Sequence, residues 1–163
     1  MKKLTIVLTI LLIGLTAQVG FGQKPSDKEN LIKIVRFLEE KPFDENAKKY
    51  REWGFLYVAE TKDVSVTVCT DAIKPALDKK NKYGGELMIH YSIAMAAFKL
   101  ENPSKANDEV TAQISGVESM LKSYEAMVKE KPKAQFAAMD ALIEKRNKNE
   151  LAAFIEANSC QKK

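Results

Sequence analysis

Hydrophobic residues recur along most of the chain with the spacing of an α-helix. The clearest stretch covers residues 110–128, where apolar residues follow one another at intervals of four, three, four, three and four. This spacing places them on one face and predicts a long amphipathic helix. Residues 87–98 are apolar except at His90 and Ser92. A helix without a polar face is expected to lie at the centre of the fold.

Capping signals and prolines mark the ends of the first helices. Ser26 followed by Glu29 forms a capping box, so a helix is predicted to start there and to end before Pro42. Its buried face comprises Leu31, Val35 and Leu38. Asp44 is the predicted N-cap of a second helix, in which Gly54 allows a neighbouring helix to approach closely.

Residues 64–69 fit two patterns. They alternate with the period of a β-strand, whereas Val66, Cys69 and Ile73 also fall at helical spacing. We favour a helix because the chain offers no second strand for pairing. Residues 79–85 are then a loop, and two further helices follow residue 135. The pattern predicts an all-α array or bundle of about five to seven helices. A short extended segment at 64–69 is the alternative.

The first 22 residues have the features of a secretory signal peptide. Lys2 and Lys3 precede an apolar run over residues 4–15, and residues 20–22 have a small-x-small ending that signal peptidase accepts. The run is too short to cross a bilayer comfortably. We therefore expect residues 1–22 to be removed and residues 23–163 to form a single helical domain. The mature protein is expected to be periplasmic or secreted, without a membrane anchor.

The charge of the chain is nearly balanced. Its 163 residues include 26 lysines and arginines against 22 acidic residues, and the formal net charge of +4 falls to +2 without Lys2 and Lys3. Basic and acidic residues alternate instead of forming a positive stripe. This distribution argues against a nucleic-acid partner, which requires a concentrated basic surface.

Cys69 and Cys160 are the only cysteines of the chain. In an exported protein, two cysteines favour one intramolecular disulfide. This bond would close a loop of about 90 residues, from the middle of the chain to its last segment. Two buried free thiols and an intermolecular bridge through Cys160 are the competing interpretations.

Candidate catalytic residues are few. His90 is the only histidine and follows Glu86 by four residues, so we expect a core histidine satisfied by Glu86 or by a backbone carbonyl. Ser119 and Lys122 match the S-x-x-K pattern of serine acyl-enzymes, but the companion motifs S-D-N and K-T-G are missing. We therefore treat the match as accidental and expect both residues on the exposed face of their helix.

Paired carboxylates and aromatic residues are the remaining candidates. The pairs Glu39–Glu40 and Asp108–Glu109 have the chemistry for acid–base catalysis, yet adjacent acids near helix ends are ordinarily solvated. The aromatic residues are expected to pack in the core, with a ligand groove as the alternative; they are Tyr50, Trp53, Tyr57, Tyr91 and Tyr124. No phosphate loop, EF-hand or zinc-ligand spacing is found, so no cofactor or metal is predicted.

Two segments resemble the ends of tetratricopeptide helix pairs. In residues 97–103 and 126–132, an alanine is followed six residues later by a proline. More broadly, residues 82–103 and 116–151 are similar to small exported helical proteins of bacteria with uncharacterised functions. The chain also resembles periplasmic immunity proteins, because it combines a signal with one cysteine in its middle and one near its end.

The sequence favours a non-enzymatic exported protein that binds another protein or a peptide. Amphipathic helices account for most of the chain, and no catalytic set is found among the polar residues. The alternatives are a small periplasmic hydrolase that uses an isolated carboxylate, and an immunity-type inhibitor protein.

Overall fold

The computed structural model describes residues 26–160, which form six α-helices and, among the described residues, no β-strand. The helices are α1 (Asp27–Glu40), α2 (Ala47–Glu60), α3 (Gly84–Glu101), α4 (Glu109–Glu130), α5 (Ala137–Asn147) and α6 (Leu151–Ala157). The predicted all-α class is confirmed. The predicted signal peptide at residues 1–22 and the basic C-terminal residues 161–163 lie outside the described residues.

Helix α3 lies between two hydrophobic cores, as its apolar sequence predicts. On one side, Leu87, Tyr91 and Met95 pack with α4, α5, α6 and residues 69–77. On the other side, Ile93 and Ala97 pack with α1 and α2. Helix α4 runs along α3 as its main partner, and α1 contacts both of them. The remaining two helices pack on α4 and on each other.

Two glycines let the helices approach α3 closely. A Cβ at Gly54 of α2 would lie 3.2 Å from Cγ2 of Ile93, which confirms the close packing predicted for this glycine. A Cβ at Gly116 of α4 would lie only 2.6 Å from Cγ of Met95. The separation of α3 and α4 therefore depends on the missing side chain at Gly116, which the sequence analysis did not single out.

The helix starts agree with the capping signals at α1 but not at α2. Ser26 and Glu29 form the predicted capping box. The N-cap of α2 is Asn46, so the prediction of Asp44 is wrong. The Asp44 carboxylate instead accepts the backbone N–H of Asn46 at 2.9 Å, because the chain makes an additional turn after Pro42 before the helix begins.

The helix favoured for residues 64–69 is wrong. This segment is neither helix nor strand, and residues 70–77 form consecutive turns. Side chains of α3 and α4 supply the hydrogen-bond partners that a helix or a strand would have given to this backbone. Lys99 Nζ donates to the carbonyl of Ser65 at 2.6 Å, and Glu109 accepts the backbone N–H of Thr67 at 3.4 Å. The loop predicted to Gly85 ends earlier, because α3 begins at Gly84.

Candidate functional site

An open groove of about 570 Å³ runs between α1 and α2. The two helices are antiparallel: the rings of Phe37 and Tyr50 meet edge-on at 5.2 Å near the connecting loop, and Lys28 pairs with Asp63 at 3.1 Å at the other end. We call this the α1–α2 groove. It is lined by Asp27, Asn30, Lys33, Ile34, Phe37, Lys49, Tyr50 and Trp53.

The floor of the α1–α2 groove is largely aromatic. Phe37, Tyr50 and Trp53 contribute its rings. Trp53 also stacks on Tyr57, which lines the adjoining polar surface, with ring centroids 5.5 Å apart and planes 9° from parallel. Tyr50, Trp53 and Tyr57 are half-buried, so the core packing predicted for them is only partial. Tyr91 and Tyr124 are buried in the core as predicted. The aromatic stripe of α2 therefore provides a surface that is apolar and still accessible.

The charged residues of the groove are separated along its length. Lys49 lines the part nearer the loop and Lys33 lines the middle, and among residues 26–160 neither forms an ion pair. The opposite end opens onto a polar surface that Asp27, Glu60 and Asp63 line. Asp63 forms an ion pair with Lys28 there, and this hydrogen bond lowers the pKa of the Asp63 carboxyl group.

Helix α2 also exposes apolar side chains on its outer face. Phe55 and Leu56 are 45% and 54% exposed, and Val68 of the neighbouring segment is 37% exposed. A second groove of about 290 Å³ lies between α2 and residues 61–68, and Phe55 and Val68 line it. The adjacent Phe55 and Leu56, outside the spacing of the aromatic stripe, were the signal that sequence reasoning missed.

A buried polar chain joins α1, α3 and α4. The Ser119 hydroxyl donates to a Glu39 carboxylate oxygen at 2.6 Å, and Nε2 of His90 lies 2.9 Å from the same hydroxyl oxygen. Burial lowers the pKa of the fully buried His90 to about 3, so the ring is neutral at physiological pH. The hydrogen-bond partner of His90 is thus the Ser119 hydroxyl, and the prediction of Glu86 or a backbone carbonyl as its partner is wrong.

The direction of these hydrogen bonds shows whether His90 can act as a base for Ser119. A carboxylate only accepts, so the Ser119 proton points to Glu39 and Nε2 of His90 must donate to Ser119. In this arrangement His90 is not a base for Ser119. Ser119 is buried, in contrast to the exposed position predicted for it, while Lys122 is exposed and pairs with Glu39 at 3.5 Å. The geometry fastens three helices together.

The predicted carboxylate pairs are divided between different roles. Glu40 is exposed, whereas the side chain of Glu39 is only 9% exposed. Asp108 caps α4 by accepting the backbone N–H of Thr111 at 2.9 Å. Glu109 forms an ion pair with the buried ammonium of Lys99, a contact that sequence reasoning missed. Neither pair has two accessible carboxyl groups facing one cavity.

Cys69 and Cys160 form a disulfide, with their Cα atoms 5.5 Å apart. Cys69 is fully buried and Cys160 is exposed. The bond attaches the end of α6 to the irregular segment at residues 64–69. The competing interpretations, free thiols and an intermolecular bridge, do not describe this structure.

Among residues 26–160, no group of three or more histidine, cysteine or acidic side chains is placed to hold a metal ion. No helix in the same range has the length and apolar character needed to cross a membrane. Comparison with protein-family models, curated proteins and solved structures found no match.

Proposed function

We propose that this protein is exported and acts by binding a peptide segment of another protein in the α1–α2 groove. The observation that carries the proposal is the half-buried but accessible aromatic floor of that groove, formed by Phe37, Tyr50 and Trp53. Tryptophan and tyrosine are enriched where proteins bind one another, because they bury a large area and keep a polar tip. A groove of about 570 Å³ is large enough for several side chains of a partner.

The charged rim supports the same proposal. Lys33 and Lys49 stand beside the apolar floor without an ion-pair partner in the described part of the chain. An apolar centre with a charged rim is the usual composition of a protein interface.

Export is supported by two independent features. The first is the signal-like pattern of residues 1–22. The second is the disulfide between Cys69 and Cys160, since such bonds persist in oxidising compartments and are rare in the cytosol. The immunity-type inhibitor is one form of this proposed function, with a protein as the ligand.

The hydrolase alternative has less support. It requires a carboxylate that reaches substrate, and Glu39 is the only partly buried member of the pair Glu39–Glu40. Its oxygens already accept from Ser119 and pair with Arg36 and Lys122. These contacts occupy the carboxylate within the fold.

Purification of the tagged protein from the exported fraction tests the proposal. We expect a stoichiometric partner that is lost from the Ile34→Glu variant, which places a charge on the groove floor. The control Ile143→Glu makes the same change at a half-buried isoleucine of α5, outside the groove, and should retain the partner. Equal recovery with both variants, or no partner with any form, would contradict the proposal.

A further inference from the structure

The α1–α2 groove carries opposite charges at its two ends. Lys49 lies beside Tyr50 near the loop, Lys33 lies in the middle of α1, and Lys41 stands 5.8 Å from the ring centre of Phe37. Asp27 and Glu60, at the first residue of α1 and the last of α2, mark the other end, where the charge of Lys28 is balanced by its ion pair with Asp63. A ligand that complements both ends must itself be acidic at one end and basic at the other.

The backbone of the ligand follows from the nature of the groove floor. Side chains of two helices form the floor, so it offers no sheet edge to an extended peptide. A helix satisfies its own backbone groups and needs only an apolar face. The distance along α1 from Asp27 to Phe37 is about 15 Å at the helical rise, which corresponds to about three turns of a bound helix.

We propose that the α1–α2 groove binds an amphipathic helix with an acidic amino-terminal turn against Lys33 and Lys49 and a basic last turn near Asp27 and Glu60. This inference rests on the proposed function and specifies its ligand. Acidic side chains in the first turn and basic ones in the last turn also stabilise a helix through its dipole. The charge order that fits the groove is therefore the order that favours a helical peptide.

The direction of the bound helix follows from this charge order. Its amino end lies at the α1–α2 loop and its carboxyl end at the start of α1, so it runs antiparallel to α1. Its positive dipole end then faces the lysines, but that end carries only about half a charge. Two or three carboxylates in its first turn outweigh this repulsion. Three or four apolar anchors at helical spacing would cover the aromatic floor.

Selection from a displayed library of random 16-residue peptides tests the inference. The target is the disulfide-bonded protein purified from the exported fraction. We expect enriched peptides to carry aromatic or leucine anchors at helical spacing, with acidic residues before the anchors and basic residues after them. Peptides with the opposite charge order, or with none, would overturn the inference.

Binding of the resynthesised best peptide provides the quantitative arm. Trp53 is the only tryptophan, so its fluorescence reports occupancy of the groove directly. The Lys33→Glu/Lys49→Glu variant should weaken binding at least about tenfold, because it replaces two attractions with two repulsions. The control Lys79→Glu/Lys80→Glu changes the charge equally at two exposed residues before α3 and should leave the affinity within about twofold.

The outcomes separate the inference from the proposed function. Some peptides could perturb Trp53 fluorescence and yet bind the Lys33→Glu/Lys49→Glu variant with the same affinity as the control variant. This result would keep the groove as a binding site and refute the charge order. Enriched peptides that leave Trp53 fluorescence unchanged refute the groove. A selection that enriches no peptide refutes peptide binding itself.

Discussion

Lys99 of α3 and Glu109 of α4 form an ion pair whose side chains are only 3% and 15% exposed. Both partners also hold the irregular segment 64–69, Lys99 through the carbonyl of Ser65 and Glu109 through the backbone N–H of Thr67. A segment without secondary structure of its own is thus fixed by two charged side chains. These side chains also satisfy backbone groups that would otherwise lack partners within the fold.

Removal of one partner of this pair should be strongly destabilising. Lys99→Met leaves the Glu109 carboxylate nearly buried without a counter-charge, and we expect a loss of about 3 kcal/mol in the free energy of unfolding. The double variant Lys99→Met/Glu109→Leu should recover much of that loss. Urea unfolding measures both. As a control, Lys148→Met breaks the exposed pair with Glu144 and should change stability by less than about 0.5 kcal/mol. Equal effects at the two sites would contradict the prediction.

Much of the fold could be predicted because its signals are local. The capping box at Ser26 and the apolar periodicity of residues 110–128 involve neighbours within one helix. Segment 64–69 could not be predicted, since its backbone partners Lys99 and Glu109 are more than 30 residues away in the chain. No periodicity in residues 64–69 encodes those contacts.

The candidate site was predictable in composition but not in exposure. The sequence shows that Tyr50, Trp53 and Tyr57 share one face of a helix. Whether that face is covered depends on the neighbours that α2 meets. Gly54 packs against α3 and fixes the rotation of α2, which leaves the aromatic stripe only half-covered by α1. For the same reason the burial of Ser119 could not be predicted, because it depends on the positions of α1 and α3 around it.

His90 should make stability depend on pH. Burial holds its pKa at about 3 in the folded protein, against 6.5 ordinarily. The unfolded chain therefore binds the proton first, so this contribution is fully present above pH 6.5 and is lost as the pH falls from 6.5 towards 3. The free energy of unfolding should decline by about 1.4 kcal/mol per pH unit in that range from this residue alone.

The variant His90→Gln isolates this contribution. At pH 7 we expect a loss of about 1–3 kcal/mol, because Ser119 loses its buried partner or keeps it in poorer geometry. Between pH 6.5 and 4.5 the unfolding free energy of the variant should fall less steeply than that of the wild type. Peptide binding to the α1–α2 groove should be retained. Parallel pH profiles for the two proteins, or stoichiometric zinc lost in the variant, would refute the structural role of His90.

Gly116 should tolerate no side chain. The Cβ of Gly116→Ala would lie 2.6 Å from Cγ of Met95 and 2.9 Å from a ring carbon of Tyr91, so either these side chains or α4 itself must shift. We expect a destabilisation of about 1–3 kcal/mol by urea unfolding. Gly85→Ala is the matched control, since no atom lies within 4 Å of its Cβ and helix propensity favours alanine. The control should be neutral or stabilising; a similar loss at both glycines would show that close packing is not the cause.

Export predicts a defined mature N-terminus. Mass spectrometry of the exported fraction should find a chain that begins at Gln23, because the small residues Gly20 and Gly22 direct signal peptidase to cleave after Gly22. A Gly22→Leu variant should block this cleavage, whereas Gln23→Ala should permit it. A protein that keeps Met1, or that stays in the cytoplasm, would refute the export proposal.

The disulfide should contribute a large part of the stability. Cys69 and Cys160 are separated by 91 residues, and the chain-entropy relation for a loop of that length gives about 4.5 kcal/mol, as an upper figure. Small domains are stable by only about 5–15 kcal/mol, so the Cys69→Ser/Cys160→Ser variant should unfold at a much lower urea concentration.

The loss of the disulfide should also destabilise α6 locally. Helix α6 has only seven residues and is anchored to the core through Leu151 and Ile155. Short helices with few buried side chains fray unless they are fastened, so hydrogen exchange in residues 151–157 should accelerate in the double serine variant more than exchange in α3. Removal of the charged tail by truncation after Cys160 provides the control, because it shortens the chain and keeps the bond.

Peptide mapping without reductant decides whether the bond forms in the protein isolated from cells. We expect one cross-linked pair of peptides that contains Cys69 and Cys160, and no thiol open to alkylation after denaturation. A covalent dimer through Cys160, or two free thiols, would refute the intramolecular bond. Because the bond attaches α6 to segment 64–69, either result would also remove the reason for the expected protection of α6.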